Sequence, residues 1–130
     1  MRLVLGSRSY DLDTRALVIG VDDAPGADLV EGAPGGFATA ADDAGFDAAL
    51  STGACLIHLT APTAAQLRRC AEAGIAVVDE QLFLDVAGEP CPLPALAAGV
   101  VGGARIIRTA DVRAARRVVD VIAAILEAGK

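Results

Sequence analysis

Six titratable side chains of this chain sit where apolar runs end. Glu31 follows Leu29-Val30, and His58 lies in Cys55-Leu-Ile-His-Leu59. Asp79 and Glu80 follow Ala76-Val-Val78, Asp85 closes Leu82-Phe-Leu-Asp85, and Arg108 closes Arg105-Ile-Ile-Arg108. Carboxylates that converge on one mouth could hold a divalent cation or divide acid and base roles. His58 is the only histidine, and histidine is the side chain that ordinarily changes charge near neutral pH. Plainer roles stand beside these: solvated or helix-capping carboxylates, and a hydrogen-bonded structural histidine. Gly32-Ala-Pro-Gly-Gly36 is a loop read as preceding a helix, and such a loop could cradle a phosphate. A lone glycine-rich loop is a weak signal of that.

Positioning these groups requires strands. Four segments open alike: Gly26-Ala-Asp-Leu-Val30, Gly53-Ala-Cys-Leu-Ile57, Gly74-Ile-Ala-Val-Val78 and Gly103-Ala-Arg-Ile-Ile107. Glycine is favoured just after a helix, where it accepts the left-handed conformation. Apolar runs without alternation suit strands buried on both faces, as in parallel sheets. In such sheets ligands gather at the carboxyl ends of strands, where the titratable groups lie. The expected elements begin with a small hairpin over residues 2–12, turning at Gly6-Ser7. Strands follow at 17–21, 29–31, 55–59, 76–78, 82–85 and 106–107. The Ala-rich stretch from Phe37 to about Leu50 is expected to be helical. Thr63 caps a helix to about Ala73, a short helix covers Ala95 to about Val101, and the last helix runs from Val112 to about Ala128. Ala115, Val118, Val119, Ile122 and Ile125 form its apolar stripe, and Asp111 is placed to cap it. Gly88-Glu-Pro-Cys-Pro-Leu-Pro94 reads as a stiff loop.

The bulk composition narrows the function classes. At 130 residues the chain is expected to be one domain, 1–130. Aromatics make up only 3%, so Ala, Val, Leu and Ile must build the core. A net charge of −6, with one lysine at the last position, argues against nucleic acid as a partner. Arg113, Arg116 and Arg117 read as a solvated helix face. The three cysteines, Cys55, Cys70 and Cys91, are odd in number and lack a Cys-x-x-Cys pair. Neither a disulfide framework nor a zinc site is indicated, and a cytoplasmic, reducing setting is expected. No apolar run reaches the roughly 20 residues that span a membrane, so no membrane partner is expected. The first residues are too short an apolar run for a signal peptide.

Both ends of the chain resemble one family. The segment from Leu5 to Val21 resembles the opening of dihydropteroate synthases, where a Gly-x-Arg hairpin with an Asp-Leu pair leads into the first barrel strand. Gly103-Ala-Arg-Ile-Ile-Arg-Thr-Ala-Asp-Val112 and its helix resemble that family's last strand and helix. Between them, the Gly26, Gly53 and Gly74 units are similar to the second, fourth and fifth strands, in collinear order. The end motifs are moderately specific; the middle ones arise in any parallel α/β repeat. The family folds as a (β/α)8 barrel of about 250 residues, the usual size for that fold. This chain is about half as long, with no first helix, third strand or seventh strand expected. The resemblance therefore implies a contracted or incomplete TIM-like (β/α) barrel of mainly parallel strands with an N-terminal β-hairpin. An exposed parallel edge would favour a homodimer.

The family joins a pterin pyrophosphate to p-aminobenzoate. Arg108 matches the last-strand arginine and could grip an anion bidentately. The family's histidine two residues later is Ala110 here, and its lysine before the seventh strand has no counterpart. Asp22 falls near the first-strand asparagine, but the Thr-Pro-Asp-Ser loop is absent. Asp22 and Asp23 would repel pyrophosphate without a divalent cation between them. No cofactor is expected, Mg²⁺ being the one ion these carboxylates could take. His58 aligns with the fourth-strand asparagine that reads the pterin. Asp85 stands for the sixth-strand aspartate, with Val86-Ala87 in place of Pro-Gly. Losing several anion contacts forfeits transition-state stabilisation, so no synthase activity is expected. Three outcomes remain open: a non-catalytic partner protein, a pterin- or folate-type ligand-binding module, and a small enzyme reusing the strand-end groups.

Overall fold

The computed structural model describes residues 1–129. β1 (Arg2–Leu5) and β2 (Arg8–Asp11) form the antiparallel hairpin that the sequence predicts. Seven parallel strands follow: β3 (Leu17–Gly20), β4 (Leu29–Val30), β5 (Phe37–Ala40), β6 (Leu56–Leu59), β7 (Ala76–Val77), β8 (Phe83–Asp85) and β9 (Ile106–Thr109). Four helices accompany them: α1 (Asp43–Ser51), α2 (Ala64–Ala73), α3 (Pro92–Val101) and α4 (Val112–Ala128). One sheet has the order β4-β3-β9-β8 and the other β5-β6-β7. A single parallel bridge, Glu31 to Phe37, links β4 to β5. The spatial order is thus β8-β9-β3-β4-β5-β6-β7, with sequence neighbours side by side except β7 and β8, which stand at its two ends, and β9 returned against β3.

Alternation along the strands creates three apolar clusters. An inner one takes Leu17, Ile19, Leu29, Phe37, Leu56, Ala76, Phe83 and Ile106, at least one residue from every parallel strand. The hairpin closes its amino-terminal end with Leu3, Leu5, Tyr10 and Leu12. Val18, Leu84 and Ile107 point the other way and pack on α3 and α4. Ala38, Ile57 and Val77 do the same against α1 and α2.

Several expectations need correction. Phe37–Ala40 is a strand, not the start of a helix, so the third strand is present and seven parallel strands replace six. Alanine has high helix propensity, but tertiary packing overrides it: Phe37 enters the inner cluster, while Ala38 and Ala40 pack under α1. The helix waits for Asp42, whose carboxylate accepts from the Gly45 amide at 2.7 Å. Gly32–Gly36 therefore leads into a strand, and no helix N-terminus faces a phosphate there. A Cβ on Gly36 would lie 2.1 Å from the Val30 carbonyl oxygen, so this glycine allows the strand-to-strand turn. α3 starts at Pro92 rather than Ala95. The first-turn amides of a helix have no intrahelical partner, so Pro92 and Pro94 sacrifice nothing there. Ile125 is 64% exposed, outside the buried stripe of α4.

Other details agree with the residues. Thr63 and Gln66 form a reciprocal capping box on α2, and Gly74 ends it in the left-handed conformation. Asp111 accepts from the Ala114 amide at the start of α4. Cys70 is buried. No described helix is long and apolar enough to cross a membrane.

Candidate functional site

Strand parity brings the candidate residues together. Ile106 points into the inner cluster, so Arg108 points the same way one layer nearer the carboxyl ends. Phe83 places Asp85, Leu29 places Glu31 and Leu56 places His58 by the same rule. Register completes the match, because Asp85 and Ile19 lie beside Arg108 on β8 and β3.

Arg108 is the hub. Its Nε donates to Glu31 Oε1 at 2.7 Å and its Nη2 to Glu31 Oε2 at 3.1 Å. Nη1 donates to both Asp85 oxygens at 3.2 Å. All three guanidinium nitrogens thus face carboxylates supplied by two other strand ends. The Glu31 hydrogen bond holds the guanidinium charged more firmly than in water, outweighing the burial that opposes it, and the charges of Glu31 and Asp85 act in the same sense. An anion seeking Arg108 must displace a carboxylate already bonded in fork geometry.

His58 occupies the neighbouring part of the mouth. Its Nε2 meets Glu80 in an ion-pair geometry. Its ring stacks on Phe83 with centroids 4.4 Å apart, and Phe83 stacks on Phe37 at 6.2 Å. Three rings therefore form a column from the inner cluster to the strand ends. Glu80 thus joins the mouth from the strand end where the sequence places it, and Phe83 is the member that sequence reasoning missed. The signal for Phe83 was its position two residues before Asp85, on the same side of the strand.

The remaining candidates lie apart. Asp22 is exposed and has no ion pair or side-chain hydrogen bond among the described residues. Asp79 caps a turn by accepting from the Gln81 amide at 3.0 Å. Arg116 is not part of a solvated patch: it donates at 2.9 Å to Asp28, which also accepts from the Val18 amide. Arg113 and Arg117 are exposed. Among the described residues no three His, Cys, Asp or Glu side chains are grouped to hold a metal ion. Five surface cavities, from about 280 to about 570 Å³, are lined by other residues than this mouth cluster.

The strand order defines a mixed α/β protein with parallel sheets. Among solved structures, the chain is similar to the dihydropteroate synthase of Yersinia pestis. The TM-score is 0.52 and the identity 18%, over 98% of this chain and 100% of that one. No protein family matches the sequence, and no curated protein matches it.

Proposed function

We propose that this chain is a contracted relative of dihydropteroate synthase whose seven parallel strands curve into a small barrel. It makes no dihydropteroate and acts as a binding or partner protein. The observation that carries this reading is the state of Arg108. The one arginine that matches the family's anion contact is bonded on every nitrogen to Glu31 and Asp85. In this reading the arginine ties three strand ends together and no longer receives pyrophosphate. Ala110 offers no side-chain donor beside it, and Asp22 adds negative charge at the end of β3. Electrostatic stabilisation of a departing pyrophosphate needs convergent donors, and this mouth offers mainly acceptors.

The test is a calorimetric titration of the whole chain with a dihydropterin pyrophosphate, with and without Mg²⁺, beside a dihydropteroate assay containing p-aminobenzoate. Neither heat nor product is expected. Product at any enzyme level overturns the loss of synthase activity. Saturable binding without product makes the chain a pterin-binding module instead of a partner protein.

A further inference from the structure

A cavity of about 280 Å³ opens between the hairpin and α4, at the opposite end of the strands from the Arg108 mouth. Tyr10 of β2, Arg15 and Leu17 at the entry to β3, Asp28 just ahead of β4, and Arg116 and Glu127 of α4 line it. Its volume is just under the roughly 300 Å³ at which small-molecule sites begin, so its ligand must be small.

The hydrogen bonds of the wall show what chemistry it lacks. Both guanidiniums are paired. Arg15 donates to Asp120, while Arg116 donates to Asp28 at 2.9 Å and lies 3.8 Å from Asp120. An anion would have to part these pairs. The acceptors, in contrast, are not used up. Asp28 takes the Val18 amide and Arg116 on Oδ2 alone. Its Oδ1 has no donor among the described residues, although the side chain is only 21% exposed. Glu127 accepts from the Thr14 hydroxyl on Oε1 alone. The Tyr10 hydroxyl makes no hydrogen bond among the described residues. Burial raises the Tyr10 phenol above its ordinary value, Arg8 opposes the rise and Asp28 adds to it, so the phenol keeps its proton close to the Asp28 charge.

Spare acceptors beside paired cations call for a positively charged donor. Of the charged groups in the wall, the carboxylates Asp11, Asp28 and Glu127 outnumber the guanidiniums of Arg15 and Arg116 by three to two. No three His, Cys, Asp or Glu side chains are grouped to hold a metal ion among the described residues, so the wall suits an organic cation. Leu12, Ala16 and Leu17 offer an apolar surface for its carbon body, and the Tyr10 ring can face its charge. A primary ammonium brings three donors, no acceptor and one positive charge.

We propose that this cavity binds a small primary amine as its ammonium ion, with the nitrogen between Tyr10 Oη and Asp28 Oδ1 and a short carbon body against Leu12 and Leu17. Such a ligand ties the hairpin to α4. The site is separate from the mouth and stands whether or not the mouth binds a pterin.

Calorimetric titration of the whole chain with n-butylammonium, at neutral pH and fixed ionic strength, tests this. Saturation is expected with a dissociation constant of about 0.1–1 mM, the range open to a ligand of so few atoms. Tyr10 is the only tyrosine and there is no tryptophan, so tyrosine emission reports from this cavity and should change with the same midpoint. Butyrate, similar in length and opposite in charge, should not saturate. Tyr10→Phe keeps the ring and should weaken binding about tenfold, the size of one hydrogen bond to a charged group. Asp28→Asn should weaken it at least as much. It also loosens Arg116, so Tyr10→Phe carries the test if Asp28→Asn fails to fold. Glu72→Gln, at an exposed carboxylate of α2, should leave the affinity unchanged. Absence of saturation up to about 50 mM amine overturns the proposal. So does saturation that butyrate matches, or an affinity untouched by Tyr10→Phe, which would put the amine on other carboxylates such as those of the mouth.

Discussion

Replacing Arg108 by methionine separates an arginine that braces the fold from one kept for a ligand. The substitution keeps most of the aliphatic stem and removes four hydrogen bonds, two to Glu31 and two to Asp85. An exposed ion pair is worth about 0.2–1 kcal/mol, whereas breaking a buried one costs about 3–5 kcal/mol. The side chains of Arg108 and Glu31 are 23% and 25% exposed, so this pair lies between those limits. Asp85 is 47% exposed, and solvent screens much of its share. The expected loss is about 2 kcal/mol, chiefly from leaving Glu31 near Asp85 without a cation. For a chain of this length that is a fall of about 7 °C in Tm. Urea unfolding followed by circular dichroism at neutral pH and low salt measures it. Glu31→Gln should cost less, about 1 kcal/mol, because Asp85 still pairs with the arginine, and the double mutant should show coupling of about 1 kcal/mol. Groups held for ligands commonly cost stability. An Arg108→Met chain as stable as its parent, or more so, would therefore refute the bracing role and return Arg108 to ligand binding.

Gly36→Ala should destabilise the chain by about 3 kcal/mol in thermal unfolding, because the new Cβ meets the Val30 carbonyl, which is backbone and cannot yield cheaply. Burial pushes the Cys70 thiol above its ordinary value of 9.0, against a smaller opposing effect of Arg69. Its contribution is complete below about pH 9. Above that the unfolded thiol ionises before the folded one, so stability should fall as the pH rises, by no more than about 1.4 kcal/mol per pH unit. Cys70→Ala should flatten that slope in denaturant titrations between pH 9 and 10. Asp111→Ala should cost about 1 kcal/mol by removing the α4 cap, read as a shift in urea midpoint.

Where local chemistry and packing agree, the residues disclose the structure. Asp111 and the i, i+3, i+4 stripe locate α4, and Thr63 with Gln66 locates α2. The apolar run ahead of Arg108 marks it as a charge at a strand end. Where the two disagree, packing decides. Phe37-Ala-Thr-Ala40 has a helical composition, and only its place between two clusters makes it a strand. Pro92 and Pro94 look like loop residues unless they fall in a first turn. Arg108 was legible as a strand-end cation, but its partners come from positions 77 and 23 residues away. The stacking of His58 on Phe83 likewise joins two strands, so no single segment shows it.

The single bridge between β4 and β5 carries a consequence for how the molecule breathes. α3 and α4 cover β3, β8 and β9, while α1 and α2 cover β5, β6 and β7. No ladder joins β7 to β8 among the described residues. The stretch from Phe37 to Val78 is therefore one contiguous piece of chain with its own outer core. It is held to the rest by the inner cluster, by the bridge and backbone hydrogen bonds that cluster at the Gly32–Gly36 turn, and by the pair of His58 with Glu80. The other half gathers both chain ends around α4. Cooperative opening units tend to follow such boundaries. In native-state hydrogen exchange the amides of β5, β6 and α1 should share one opening free energy, lower than that of β3 and β9. On this expectation the stretch from Phe37 to Val78 opens as one unit while β3 and β9 stay paired.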